Sequence, residues 1–156
     1  MKTVIIYYSE HHGNTKKLLD TLTEFDDIEL IKAEKGIQID LSNYDIIGFA
    51  SGIYFSRFND AILQCAEELL PENKDVFVIC TYGVKRSVYS KDIKKIIEQK
   101  SCRLLGSFGC RGYDTFGILG KIGGIAKERP NDKDMAEVKI FFKNLVEKVS
   151  KKEYTK

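Results

Sequence analysis

Between Tyr8 and Lys16 runs Ser9-Glu10-His11-His12-Gly13-Asn14-Thr15, a string of short donors able to hold an anion. Where such a loop opens a helix, the first backbone N–H groups lack intrahelical acceptors, and the helix dipole favours negative charge there. Ser9, Asn14 and Thr15 add side-chain donors, and Gly13 supplies a tight turn. A phosphate group suits this loop, although the same residues would also make an ordinary helix cap and turn. A second candidate is Cys80-Thr81-Tyr82-Gly83-Val84-Lys85-Arg86-Ser87, which has the Cys-x5-Arg-Ser spacing of a cysteine-based phosphatase. There a thiolate attacks phosphorus while the arginine grips its oxygens. The stretch lacks a preceding histidine and the glycine density of such loops, and Cys80 reads more simply as the last buried residue of a strand. No strand is followed by a Gly-x-Gly-x-x-Gly nicotinamide fingerprint. Cys65, Cys80, Cys102 and Cys110 form no Cys-x-x-Cys pair and no metal-ligand spacing with His11 or His12.

The elements that must position these loops follow from apolar periodicity. Val4–Tyr8 carries no charge and reads as a strand buried on both faces. Ile46–Ala50, Val76–Cys80 and Leu104–Cys110 read as further interior strands, the last diluted by Gly106 and Gly109, and Ile28–Ile31 as a short edge strand. Helical spacing joins Leu18, Leu19, Leu22 and Phe25. It recurs from Phe58 to Leu70, ahead of Pro71, and through Ile93, Ile96 and Ile97 with Ser90 as the cap. A last helix begins near Pro130–Asp134 and turns Met135, Val138, Phe141, Phe142, Leu145 and Val149 inward. Alternation of strands and helices predicts an α/β protein, a doubly wound five-stranded parallel sheet with right-handed crossovers. Residues 32–43 leave room for at most a short helix. Residues 111–129, with several glycines, are a connection of the length usually reserved for function.

With 156 residues the chain makes one domain over 1–150 and a charged tail over 151–156. A formal net charge of +2 with interspersed lysines, no tryptophan and no basic–aromatic interleaving exclude nucleic acid as a partner. No apolar stretch approaches a membrane span or a signal sequence, and unpaired cysteines in apolar contexts point to a cytoplasmic protein.

In an open parallel sheet, ligands bind beyond the carboxyl ends of the strands. Three loops should meet there: Ser9–Thr15, Ser51-Gly52-Ile53-Tyr54-Phe55 and Thr81-Tyr82-Gly83. Aromatic rings to stack on and glycines that admit backbone to a ring edge, beside a phosphate cradle, fit a flat ring tethered to a phosphate.

At this point the chain resembles the flavodoxin family along nearly its whole length. Ser9–Thr15 is similar to the family's FMN-phosphate loop. Asp40–Gly48 with Ser51–Phe55 is similar to its third strand and first flavin-contacting loop. Cys110–Asp114 and Gly123–Lys127 with Pro130-Asn131 resemble the C-terminal stretch of a bacterial and archaeal branch. The resemblance implies strand order 2-1-3-4-5 and non-covalent FMN, with Ser9, His11, His12, Gly13, Asn14 and Thr15 at the phosphate. Ser51, Gly52, Ile53 and Tyr54 would face one side of the ring, and Thr81, Tyr82 and Gly83 the other. It further implies electron transfer with redox partner proteins by a monomer or weak homodimer, without a catalytic acid, base or nucleophile. An FMN-dependent reductase of quinones or other small oxidants is the nearest enzymatic alternative. Two departures stand out. His12 occupies the place of the family's threonine, in a loop one residue longer than the compact form. The chain is also slightly basic, where shuttling members are typically acidic. A phospho-acceptor signalling domain of like topology fails, because Ser9-Glu10 and Ala50-Ser51 stand where it needs acids.

Overall fold

The computed structural model describes residues 1–153. Its sheet is built from β1 (Thr3–Tyr8), β2 (Ile28–Lys32), β3 (Ile46–Tyr54), β5 (Asp75–Tyr82) and β6 (Arg103–Arg111), in the order β2-β1-β3-β5-β6. The two-residue β4 (Arg57–Phe58) pairs antiparallel with the end of β3. With β4 set aside, this is the parallel 2-1-3-4-5 order. The helices are α1 (Asn14–Asp20), α2 (Asp60–Leu69), α3 (Lys91–Gln99), the one-turn α4 (Ile118–Lys121) and α5 (Asp132–Glu153).

The unbroken apolar runs have a direct cause: each interior strand feeds two cores. Along β1, Val4 and Ile6 join the cluster under α2 and α3, while Ile5 points to the other face, against Leu18, Leu19, Phe142 and Leu145. All three β1 residues are fully buried, each contributing roughly 1.5–3 kcal/mol of transfer free energy. Gly48 in β3 pairs with Phe77 of β5, and a Cβ there would stand 2.5 Å from the Phe77 ring. Absence of a side chain at that position lets an aromatic fill the sheet centre.

Element boundaries shift for local reasons. The loop expected at Ser51–Phe55 is largely strand: β3 runs on to Tyr54 because Ser51 and Gly52 still pair with Cys80 and Thr81. The next strand likewise reaches Tyr82, so Thr81 and Tyr82 are paired residues. Helix α2 begins at Asp60, not Phe58, since the Asn59 side chain caps it by accepting the Ala61 N–H at 2.8 Å. Ser90 precedes α3 without a side-chain cap, after a short 3-10 turn at Ser87–Ser90. Residues 33–45 contain turns and no helix. Helix α5 continues through residues 151–153, so the 150/151 boundary falls within it; tail residues 154–156 lie outside the described residues.

The long connection 112–131 crosses back over the loop end of the sheet as a strap. Tyr113 N–H donates to the Arg129 carbonyl at 3.0 Å, and Asp114 and Ile125 form an isolated bridge. Its end is clamped where Arg129 grips the buried Asp134 through two charge-assisted hydrogen bonds.

Candidate functional site

Beyond the carboxyl ends of β1, β3 and β5 the chain leaves a cavity of about 420 Å³, within the range of roughly 300–1,000 Å³ typical of cofactor pockets. Its walls come from four stretches: Glu10, His11 and Asn14; Gly52 to Ser56; Thr81 to Tyr89; and Gly112 to Phe116.

The first wall is the loop after β1. His11, His12 and Gly13 all take left-handed φ angles of 47°, 65° and 66°. Only Gly13 adopts this without a Cβ penalty, so the two histidines are held there by their surroundings. Tyr113 stacks on His12 with ring centroids 4.1 Å apart, and His12 Nε2 shares a hydrogen bond of 3.0 Å with Thr115 Oγ1. The hydroxyl of Ser9 accepts the Lys16 N–H at 3.0 Å, and Asn14 Nδ2 donates to the Tyr113 carbonyl at 2.8 Å. Thr15 is buried, its Oγ1 lying 2.8 Å from Thr81 Oγ1. The polar side chains of this loop thus fasten it to β5 and to the strap. Its backbone amides are the free donors: among the described residues, those of His11, His12, Gly13, Asn14 and Thr15 find no acceptor in the protein. Consecutive unpartnered amides in left-handed geometry form a concavity for anions. Helix α1 has seven residues, so its dipole adds little beside these amides.

The second wall is the β3–β4 hairpin. Its two turn residues, Phe55 and Ser56, have φ of 49° and 63°. Such turns favour Asn-Gly, and non-glycine residues pay about 1–2 kcal/mol each for this geometry. The turn leaves Phe55 85% exposed at the cavity mouth. Behind it the Tyr54 hydroxyl accepts the Glu10 N–H at 3.0 Å, and the Tyr54 ring lies over Gly52, where a Cβ would meet the phenol oxygen at 3.0 Å. Burial raises the Tyr54 phenol above its ordinary value. Ser51 is fully buried, donates to the Gly52 carbonyl at 2.5 Å and accepts the Asn59 N–H at 3.0 Å.

The third wall, Thr81–Tyr89, meets the strap closely. A Cβ on Gly83 would stand 2.3 Å from Asp114 Oδ2, and one on Gly112 would stand 2.6 Å from Asn14 Nδ2. Those two glycines allow strap and loops to touch. Tyr82 donates its hydroxyl to the Gly109 carbonyl at 3.2 Å, and Tyr89 donates to the Val84 carbonyl at 2.7 Å.

Of the residues proposed from sequence, His11, Asn14, Gly52, Ile53, Tyr54, Thr81, Tyr82 and Gly83 line the cavity. Ser9, His12, Gly13, Thr15 and Ser51 stand behind it as supports or backbone donors. Sequence reasoning missed Tyr89, Tyr113, Asp114 and Phe116 as lining residues, and placed Arg86 only in the phosphatase pattern; the length and glycine content of 111–129 were the signal for the strap residues. The phosphatase pattern loses its nucleophile: burial pushes the Cys80 thiol up to about 12, and only Arg86 of the pair reaches the cavity. All four cysteines are free, and no cluster able to hold a metal ion exists among the described residues. No helix among them is long and apolar enough to cross a membrane.

Comparison with known proteins agrees with this geometry. A family model described as a flavodoxin domain matches residues 5–120. An uncharacterised protein of Methanocaldococcus jannaschii is 34% identical over 94% of this chain and 99% of its own length. A solved flavodoxin from the domain Archaea superposes with a TM-score of 0.70 at 18% identity, covering 96% of this chain and 99% of that one. A Lactobacillus acidophilus flavoprotein, solved in complex with FMN, superposes at 0.58 and 20% identity, covering 69% of this chain and 92% of its own.

Proposed function

Since the chain belongs to the flavodoxin domain family, we propose that it binds one FMN non-covalently in this cavity and carries electrons between redox proteins. One observation carries the reading: a cavity of cofactor size opens beside a loop whose amides, His11 to Thr15, have no acceptor of their own among the described residues. These amides would hold the phosphate. The Tyr54–Gly52 wall and the Thr81–Gly83 edge would enclose the flat ring, and the strap, pinned through Asn14 and His12, would close the phosphate end. When bound, FMN supplies one- and two-electron redox chemistry that no side chain here possesses. The protein's part is to orient the ring, to exclude water from one side of it and to set the polarity around it. No residue of the cavity is asked to act as nucleophile, acid or base. A cytoplasmic location accords with the unpaired thiols.

The test is titration of the purified protein with FMN, following flavin fluorescence. Quenching to a one-to-one endpoint, with riboflavin binding at least about tenfold more weakly, supports the reading. Equal affinity for riboflavin would remove the phosphate from the loop.

A further inference from the structure

The mouth of the cavity combines two features that the interior does not require. One is apolar exposure. Phe55 is 85% exposed and Phe116 59%, their rings 5.5 Å apart across the opening, and Ile118 on the adjoining α4 is 78% exposed. Val84, on the third wall, is 55% exposed. Exposed apolar groups clustered on one face mark an interaction site, whereas scattered ones are ordinary. Phe55 also sits in a left-handed turn that disfavours it, so its presentation is enforced by the hairpin.

The other feature is charge. Lys85 and Arg86 follow Val84, Arg111 donates to the Gly83 carbonyl, and Lys121 closes α4; none of the four enters an ion pair among the described residues. Two acids, Glu10 and Asp114, line the cavity within this rim. Asp114 is half-buried against Gly83 and accepts the Phe116 N–H at 2.8 Å. Arg57, in β4 beside the hairpin turn, pairs with both Asp60 and Asp92 and adds no free positive charge. Four cations outside any ion pair among the described residues, against the Glu10 and Asp114 carboxylates, leave the rim apolar at its centre with a cationic excess around it, the layout of a protein interface with a dry core and a steering periphery.

Resting on the FMN reading, we propose that this rim is the docking surface for an acidic redox protein, one whose own redox centre is surrounded by carboxylates. Complementary charge would steer the encounter, and Phe55 and Phe116 would form the desolvated centre. An anionic membrane would meet the same charges, but the apolar groups here ring a cavity mouth and α4 is a single turn, too short for an interfacial helix.

Two measurements test this. The first is the rate at which the reduced flavoprotein is reoxidised by ferricyanide, an anion, and by tris(phenanthroline)cobalt(III), a cation. Raising ionic strength from about 0.01 to 0.15 M shortens the screening length from roughly 30 to 8 Å. The ferricyanide rate should fall about tenfold and the cobalt rate should rise. Lys85→Glu combined with Lys121→Glu should abolish both trends while FMN affinity stays within about twofold. Opposite salt trends in the unaltered protein would overturn the proposal. The second is titration of the isotope-labelled protein, with or without flavin, with an acidic plant-type [2Fe–2S] ferredoxin. Amide shifts should cluster at Phe55, Val84, Phe116 and Ile118 and vanish in the charge-reversed variant. Shifts elsewhere, or co-sedimentation with phosphatidylserine vesicles in place of ferredoxin binding, would refute it. Because the flavin-free protein serves equally in this second titration, failure to bind FMN and failure to dock are separate results.

Discussion

Gly83→Ala isolates the contact on which the closed cavity depends. The backbone of Gly83 lies outside the left-handed region, so alanine imposes no conformational strain of its own. Its added methyl carbon, however, would stand 2.3 Å from Asp114 Oδ2 and 3.0 Å from both Asp114 Cβ and Cγ. Rotating the carboxylate relieves only the first clash, so the strap must shift as well, and the Asp114–Phe116 N–H bond goes with it. Overpacking of this kind costs about 1–3 kcal/mol. In the flavin-free protein the strap can relax outward; on binding it must return, so the cost appears in affinity. About 2 kcal/mol corresponds to a roughly 30-fold rise in the FMN dissociation constant. Asp114→Ala should cost less, about 0.5–1.5 kcal/mol for the lost hydrogen bond, or no more than about tenfold. In the double variant the contacts with Asp114 Oδ2 and Cγ are gone and only the 3.0 Å approach of the residue-114 Cβ remains, so affinity should recover most of the way to that of Asp114→Ala alone. Fluorescence titration of the four proteins closes the cycle. Wild-type affinity in Gly83→Ala, or a double variant as weak as the product of the singles, would refute the argument.

Three further outcomes follow from the same geometry. Thr15→Val and Thr81→Val should each destabilise the fold by about 1–3 kcal/mol, by leaving a buried hydroxyl unpaired, while the double variant falls well short of their sum; urea unfolding reads this cycle. Glu29 accepts a hydrogen bond from the Tyr44 hydroxyl at 2.5 Å and holds that phenol at about 12, so its contribution is complete below pH 10 and is lost as pH rises through 12; Glu29→Gln should move the Tyr44 phenolate transition back toward the ordinary value and flatten the alkaline loss of stability. Cys80 and Cys110, both pushed up to about 12 by burial, should resist iodoacetamide at pH 8 in the native protein, and no vanadate-sensitive phosphatase activity should accompany them; rapid alkylation of Cys80 would restore the nucleophile reading.

Much of the fold was legible because a doubly wound sheet writes itself as uncharged apolar runs. Ile5 and Ile6 must both be apolar when each faces a different core, and the same holds along β3 and β5. Strand ends were less legible: Ser51, Gly52 and Thr81 look like loop residues, yet remain in the ladder because their polar groups are met within it or just beside it. The site was legible as three loops but not as a division of labour. Nothing in Ser9, His12, Asn14 or Thr15 as letters tells whether a side chain faces a ligand or fastens the loop, since that depends on Tyr113, Thr115 and Thr81, distant in sequence. The strap was visible only as a long glycine-bearing connection. Which glycines matter emerged from contact alone: Gly83 and Gly112 are the points where another segment leaves no room for a side chain.

The central claim is that the amides from His11 to Thr15 and the adjoining cavity hold a flavin phosphate ester. The most direct measurement is a visible spectrum of the purified protein with equimolar FMN after gel filtration, followed by stepwise reduction. The account predicts yellow protein carrying one flavin per chain, reduced in two resolved one-electron steps. Protein that emerges colourless, with all flavin in the small-molecule fraction, would contradict it.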